Sequence, residues 1–104
     1  STSYVIASGM TITPPSGTYI VFFTSTVTNN AADRSIFCKI YINDVAAGAG
    51  GTVYVTSKKQ RLTNACMAIG KVDGSQTIQG RWCTDAGTAS MTERSLNIVQ
   101  IRTN

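Results

Sequence analysis

One third of this chain consists of β-branched residues, and leucine is almost absent. Isoleucine, valine and threonine account for 33 of the 104 residues, against 2 leucines. Because β-branched side chains lose χ1 freedom in a helix and pack well on a pleated surface, this composition favours strands. The sequence therefore predicts an all-β protein, and its length corresponds to one domain over residues 1–104.

Turn residues divide the chain into eight or nine short strands. Typical turn sequences occur at Pro14–Gly17, Asn43-Asp44 and Asp73–Ser75. We expect separate strands on either side of Gly9, a small-residue loop over Ala46–Gly51 and a turn at Thr92–Arg94. Breaks spaced roughly every 8–12 residues are typical of an antiparallel β-sandwich or barrel.

The strand predicted over Thr18–Thr28 contains the longest apolar run. Its first half, Tyr19–Phe23, is apolar at every position, and its second half places Thr24, Thr26 and Thr28 on one face. A strand that is buried on both faces and then emerges into solvent has this pattern. We therefore predict that Tyr19–Phe23 is buried on both sides.

Two other strands carry apolar side chains where a solvent-facing strand would be polar. In Ile36–Asn43 the isoleucines alternate with Phe37 and Tyr41, and in the last strand Val99 and Ile101 add to an already apolar segment. One explanation is cover by a second subunit, because a small β domain gains core by association and an exposed apolar patch is a liability. The other is cover by loops of the same chain. We favour association, with Phe37, Tyr41, Val99 and Ile101 as the candidate interface.

The chain contains no histidine, and only five acidic residues are present. The absence of histidine excludes the Ser-His-Asp triad, the Cys-His pair and every histidine-containing metal site. Each aspartate lies beside a turn, where Asp ordinarily bonds its own backbone. A catalytic pair of Asp44 and Asp85 is the enzymatic alternative. Turn chemistry is favoured over it, and we expect neither enzymatic activity nor a cofactor or metal.

The three cysteines, Cys38, Cys66 and Cys83, match no close zinc-binding spacing. Their odd number argues against a fully paired secreted framework. Cys38 lies among isoleucines and Cys66 beside Ala and Met, so both resemble small core residues. Free thiols are favoured, and one disulfide is the alternative.

The chain is mildly basic, with a net charge of +4, and it has one local cluster of cations at Lys58–Arg61. Such a loop is either solvated or contacts phosphates, sulfated glycans or an acidic partner. We take Lys58, Lys59 and Arg61 as possible receptor or anionic-glycan contacts. Nucleic-acid binding is not expected, because aromatics interleaved with a basic stripe are absent. Membrane insertion is not expected either, because no apolar run approaches the roughly 20 residues that span a bilayer.

Four segments carry a resemblance that covers about Met10 to Arg102. They are Gly17–Phe23, which matches a G-x-Y-x-V-x-F strand, Ile36–Asp44, Ala65–Trp82 and the closing Arg94–Ile101. In these segments the chain resembles the trimeric jelly roll of the tumour-necrosis-factor and complement globular-head superfamily, in the version that caps fibrous shafts of bacteriophage and bacterial proteins. Asp44 stands where Gly is usual in that family. The chain begins at Ser1 without a signal-like segment, so we expect a processed or trimmed chain.

The resemblance implies a jelly-roll sandwich of three subunits around a threefold axis, with the edge of one against the face of the next. Small residues such as Ala46–Gly51 would allow close backbone approach near that axis. The implied function is a non-enzymatic structural or attachment head of a virion or extracellular fibre, which binds a host-surface receptor or glycan. Receptor contacts are expected in the exposed loops Asn29–Arg34, Lys58–Arg61 and Asp85–Thr88.

A monomeric β-sandwich carbohydrate-binding module is the alternative function. It needs exposed aromatic side chains as sugar platforms, and Trp82, Tyr54 and Tyr4 are the possibilities. Trp82 lies inside a predicted strand between Arg81 and Cys83, so burial is the favoured expectation for its ring.

Overall fold

Residues 2–104, which the computed structural model describes, form seven antiparallel strands and no helix. The strands are β1 (Val5–Ile12), β2 (Gly17–Asn29), β3 (Arg34–Ile42), β4 (Val45–Val55), β5 (Leu62–Val72), β6 (Ile78–Thr84) and β7 (Ala89–Arg102). The predicted all-β antiparallel sandwich is confirmed. Over the same residues, the structure contains no helix with the length and apolarity to cross a bilayer.

Two sheets pack face to face. The four-stranded sheet has the order β1-β6-β3-β4, and the three-stranded sheet has the order β5-β2-β7. Successive strands alternate between the sheets except for β3 and β4, which the turn at Asn43-Asp44 joins into a hairpin. Both turn residues have positive φ, 51° and 62°, as in a two-residue type I′ hairpin. The turn predicted there is confirmed.

Seven strands replace the eight or nine predicted, because predicted breaks lie inside longer strands. Gly9, with φ of 77°, lies in β1 between the residues Ile6 and Thr11 that pair regularly with β6. Ala46–Gly51 belongs to β4 rather than to a loop, and Thr92–Arg94 belongs to β7. Each of these three strands shifts register along its length. A bulge adds a residue without ending a strand, so turn-forming residues do not terminate these elements.

The core lies between the sheets and forms two apolar clusters. Every second residue of β2 from Gly17 to Asn29 is buried. The larger cluster consists of Ala7, Tyr19, Val21, Phe23, Cys38, Ile40, Ala68, Val72 and Ile78. The smaller cluster consists of Val27, Ile36 and Val55. Trp82 and Met91 pack against both clusters and so connect them.

The sandwich is closed tightly along the side where β4 lies against β5. A Cβ on Gly51 would clash with the carbonyl oxygen of Ala65 on the facing strand. The Asn64 side chain donates hydrogen bonds to the carbonyls of Ile36 at 3.2 Å and Gly51 at 3.4 Å, so it joins the two sheets. The small residues of β4 therefore allow two strands of one chain to approach closely.

Candidate functional site

The outer face of the three-stranded sheet carries an apolar patch that crosses all three strands. Ile69, Ile20 and Val99 are cross-strand neighbours in one row, and Met67 beside Phe22 begins the next row. These five residues are called the apolar patch below. The exposed fractions are 39% for Phe22, 52% for Met67, 55% for Val99 and 58% for Ile69. Exposed apolar side chains that cluster in this way are typical of an interaction surface rather than of scattered surface residues.

The patch shows where the expected burial of Tyr19–Phe23 on both faces is wrong. Tyr19, Val21 and Phe23 point inward and are buried, whereas Ile20 is half-buried and Phe22 is exposed. The reason is that the outer face of the three-stranded sheet is open to solvent in a single copy of the chain. The apolar outer face was detectable in the sequence, but its exposure was not.

The four candidate interface residues lie on opposite sides of the sandwich. Val99 belongs to the apolar patch, and Ile101, which is 51% exposed, lies two residues further along β7 at a register shift. Phe37 and Tyr41 lie on the outer face of the four-stranded sheet, opposite in direction to the buried Ile36, Cys38 and Ile40 of the same strand. The structure therefore brings Val99 and Ile101 together and separates them from Phe37 and Tyr41.

The chain itself partly covers the outer face of the four-stranded sheet. The guanidinium of Arg81 lies 4.0 Å from the ring centroid of Tyr41, and the Tyr4 ring lies 6.0 Å from the Tyr41 ring. Arg81 is held in this position by Asp44, at 2.8 Å between Nη2 and Oδ1. Tyr41 is half-buried beneath these groups, and Phe37 on the same face is half-buried as well. This face is therefore less available to a partner than the apolar patch.

Two weak acids on this face, Tyr4 and Cys83, have raised pKa values. Burial, followed by the proximity of Cys83 and Tyr41, raises the pKa of Tyr4 to about 12. Burial also raises the pKa of the Cys83 thiol. Both groups are therefore neutral near pH 7, and the Lys39 ammonium, 5.9 Å from the Tyr4 ring centroid, meets an uncharged ring.

Three loops meet at one end of the sandwich, called the loop end below. The backbone N–H of Asn30 donates to the carbonyl of Thr88 at 3.0 Å, and the N–H of Lys59 donates to the carbonyl of Asn29 at 2.8 Å. These bonds join the β2–β3 loop to the other two loops. The structure thus brings together the predicted receptor-contact segments Asn29–Arg34, Lys58–Arg61 and Asp85–Thr88.

Asn29 organises the loop end from the interior. Its buried side-chain amide donates to the hydroxyl of Thr84 at 3.0 Å and to the carbonyl of Ala86 at 3.1 Å. Its Oδ1 accepts a hydrogen bond from the N–H of Ala31 at 3.0 Å. One side chain therefore fixes the β2–β3 and β6–β7 loops relative to each other.

The basic loop leaves two of its three cations free of acidic partners. Arg61 lies 3.5 Å from Glu93 in an exposed pair. Lys58 and Lys59 are exposed and form no ion pair with any residue of 2–104. These two lysines are therefore available to an anion at the loop end.

Next to the apolar patch, the same outer face is polar and slightly concave. A hollow of about 260 Å³ is lined by Thr24, Ser25, Thr26, Thr63, Glu93, Arg94 and Ser95. Small-molecule sites are usually enclosed cavities of roughly 300–1,000 Å³ lined mainly by apolar groups. This hollow has neither property, so it is not a typical small-molecule site.

The remaining candidates for chemistry are dispersed. All three cysteines are free thiols, which confirms the favoured expectation. Asp44 lies in the β3–β4 turn and Asp85 at the loop end, so the structure places them at opposite ends of the sandwich. Within residues 2–104, no group of three or more His, Cys, Asp or Glu side chains is arranged to hold a metal ion. The chain matches no protein-family model and no curated protein.

Proposed function

We propose that this domain is a non-enzymatic homotrimeric head of a virion or extracellular fibre, with its copies joined through the apolar patch and its loop end directed at a host-surface receptor or glycan. The observation that carries this proposal is the patch itself. Four of its five side chains are between 39% and 58% exposed in a single copy. Association removes these groups from water, which is the main driving force for subunit contacts.

A further copy of this chain is the occupant that the patch supports. None of its five residues (Ile20, Phe22, Met67, Ile69 and Val99) is charged. The patch therefore offers no ion pair to a charged partner. A sandwich of this length has a modest core and gains apolar burial by association. The expected number of copies, three, comes from the trimeric family that the chain resembles. Two of the resembling segments lie in β2 and β7, which provide three of the five patch residues.

The proposal assigns the subunit contact to Val99 and Ile101 rather than to Phe37 and Tyr41. In a ring of three, the two contacting surfaces of one subunit are inclined to each other, whereas surfaces that point in opposite directions join copies in an open row. The two pairs lie on opposite faces, so they do not both line one ring. Val99 and Ile101 are the exposed pair, because Tyr4 and Arg81 already cover the other face.

The loop end supplies the adhesive part of the proposal. Its loops are fixed by Asn29, and Lys58 and Lys59 carry positive charge there without an acidic partner. Three copies of one weak site in a rigid assembly bind a multivalent surface with avidity, so no single loop needs high affinity.

The proposal is tested by measuring the molar mass in solution, by light scattering on a sizing column with reductant present. The wild type should give about 33 kDa, three times the 11.0 kDa chain. Ile69→Lys, in the patch, should give a monomer. Thr63→Lys is the matched control on the same face of the same strand and should remain trimeric. A monomeric wild type overturns the proposal, and dissociation by Tyr41→Asp but not by Ile69→Lys overturns the assignment to the patch.

The alternative, a monomeric carbohydrate-binding module, has one observation in its favour. Tyr54 is 52% exposed, and its hydroxyl donates to Asp33 Oδ1 at 3.1 Å, which holds an aromatic ring at the loop end. Trp82 is not a comparable platform, because it packs against both core clusters. This function predicts a mass of 11 kDa and sugar binding that Tyr54→Ala abolishes.

A further inference from the structure

Two of the three cysteines belong to opposite sheets and face the same part of the interior. Cys38 lies on the inner face of β3 and is 1% exposed. Cys66 lies on β5, where its cross-strand partner is the buried Phe23, and it is half-buried. Paired residues of adjacent strands point to the same face, so the Cys66 side chain points inward. Both cysteines pack in the larger apolar cluster.

The backbone beside Cys38 and the backbone beside Cys66 approach each other at Gly51. It is the cross-strand partner of Cys38 in the four-stranded sheet. A Cβ on Gly51 would clash with the carbonyl oxygen of Ala65, the residue that precedes Cys66. Cα atoms of β3 and β5 come within 8 Å of each other, close to the range of about 4.4–6.8 Å that a disulfide joins.

The two thiols are close enough to influence each other's protonation. The proximity of the Cys66 thiol lowers the pKa of Cys38, and that of the Cys38 thiol, together with burial, raises the pKa of Cys66. Cys83 is outside this arrangement: it pairs with Phe37 and lies beside Tyr4 on the outer face of the four-stranded sheet. Cys83 is therefore an internal control for any reaction of Cys38 and Cys66.

We propose that Cys38 and Cys66 form a redox-active pair that closes a disulfide across the sandwich when the folded protein meets a small-molecule disulfide oxidant. The pair first loses one proton, and its thiolate attacks the oxidant's S–S bond and releases one thiol. The other cysteine of the pair then attacks the mixed disulfide and releases the second thiol. In balance, two electrons pass from the cysteine sulfurs to the oxidant, and its two released thiols carry the two protons. The bond ties β3 to β5 and thus one sheet to the other.

The proposal is independent of the trimer and of the loop end, because both sulfurs lie inside one copy of the chain. It converts a sandwich held by packing into one that is covalently closed across its two layers. The bond closes a loop from Cys38 to Cys66, and loops of this size restrict the unfolded chain substantially. Oxidation should therefore raise the thermal midpoint by on the order of 10 °C.

The test incubates the folded protein with oxidised glutathione, alkylates the remaining thiols in denaturant, and measures the intact mass and the peptide map. The wild type should lose two hydrogen atoms and become alkylated at Cys83 alone. Cys83→Ser should form the same disulfide at the same rate, whereas Cys66→Ala should form none. Thermal unfolding of the oxidised and reduced wild type gives a second readout.

Three alkylated thiols in the folded wild type would overturn the proposal. So would a stable mixed disulfide with glutathione, or a disulfide that includes Cys83. An unchanged thermal midpoint after complete Cys38–Cys66 oxidation would overturn the stated role of the bond in closing the sandwich. Because none of these readouts depends on molar mass in solution, the result is separate from that of the trimer test.

Discussion

The side-chain amide of Asn29, at the end of β2, donates a hydrogen bond of 3.0 Å to the hydroxyl of Thr84, at the end of β6. The two residues belong to different sheets, and both are buried. The Thr84 hydroxyl in turn has two acceptors for its proton, the carbonyl oxygens of Ser35 at 3.1 Å and Ala86 at 3.0 Å. A chain of polar contacts therefore joins the sheets at the point where the loops begin.

Asn29→Ala should destabilise the domain by about 2–3 kcal/mol, because it removes three buried or part-buried hydrogen bonds, to Thr84, Ala86 and Ala31, and leaves the N–H of Ala31 without its acceptor. Urea unfolding followed by circular dichroism measures the change. Asn97→Ala is the control: its side chain bonds only at the surface, to Ser95, and it should change the stability by less than about 0.5 kcal/mol. Equal effects of the two substitutions would contradict the role given to Asn29.

Two glycines should respond differently to alanine, because one is restricted by space and the other by backbone conformation. Gly51→Ala places a Cβ against the carbonyl oxygen of Ala65, so we expect a loss of about 3 kcal/mol as β4 moves away from β5. Gly9→Ala meets nothing within 4 Å and only has to adopt a φ of 77°, so the loss should be about 1–2 kcal/mol. Urea unfolding of both variants checks the order, and the reverse order would contradict the close packing of β4 on β5.

The loop end should bind a sulfated glycan through its two free lysines, if the proposed receptor contact is correct. Lys58→Gln combined with Lys59→Asn should elute from heparin at a lower salt concentration than the wild type, because exposed charges attract anions in a screened, salt-dependent way. Asn is chosen at position 59 because Lys59 has a φ of 59°, a conformation that Asn tolerates.

The matched control for the heparin test removes two charges elsewhere. Lys71 and Arg102 flank Thr18 at the opposite end of the three-stranded sheet. Lys71→Gln combined with Arg102→Gln should leave the elution close to that of the wild type. If both double variants shift equally, retention follows net charge and the loop end has no special role.

Alkaline pH should destabilise the domain through Tyr4. The folded state keeps the Tyr4 proton up to a pKa of about 12, whereas an unfolded tyrosine releases it near about pH 10. Between these values the folded state binds more protons than the unfolded state, so the free energy of unfolding falls as the pH rises. Urea midpoints at about pH 9 and about pH 11 should therefore fall less in Tyr4→Phe than in the wild type. An equal fall in both proteins would exclude Tyr4 as the cause.

The fold class was predictable because it depends on local properties that the sequence states directly. The excess of Ile, Val and Thr favours strands wherever they occur, and Asn43-Asp44 has the side chains that a tight hairpin needs. The strand count was not predictable to the same degree. Gly9 and the small residues of Ala46–Gly51 are compatible with two structures. They can form a turn that ends a strand, or they can continue the strand through a bulge or a close packing contact. Contacts with the neighbouring strands determine which structure forms.

The apolar patch was half visible in the sequence for a related reason. Val99 and the apolar run Tyr19–Phe23 were both identified as unusual. Met67 and Ile69 were not, because their position beside Phe22 and Ile20 depends on the register of β5 against β2. Register arises from pairing between segments that are distant in the chain, so it cannot be read from the local pattern of one sequence. The role of Asn29 in joining the predicted loops was missed in the same way, since Asn29 meets Thr84 only after the sheets have packed.

The position of β2 has a consequence for how the protein is made. β2 is the middle strand of its sheet, and both of its partners lie later in the chain, β5 at residues 62–72 and β7 at residues 89–102. During synthesis, Tyr19–Phe23 leaves the ribosome before β5 and β7 and stays unpaired until they have been made. Such long-range pairing is slow, and an unpaired apolar strand is prone to aggregation while it waits. The yield of native protein therefore depends on how soon the C-terminal strand reaches a segment made some 70 to 80 residues before it.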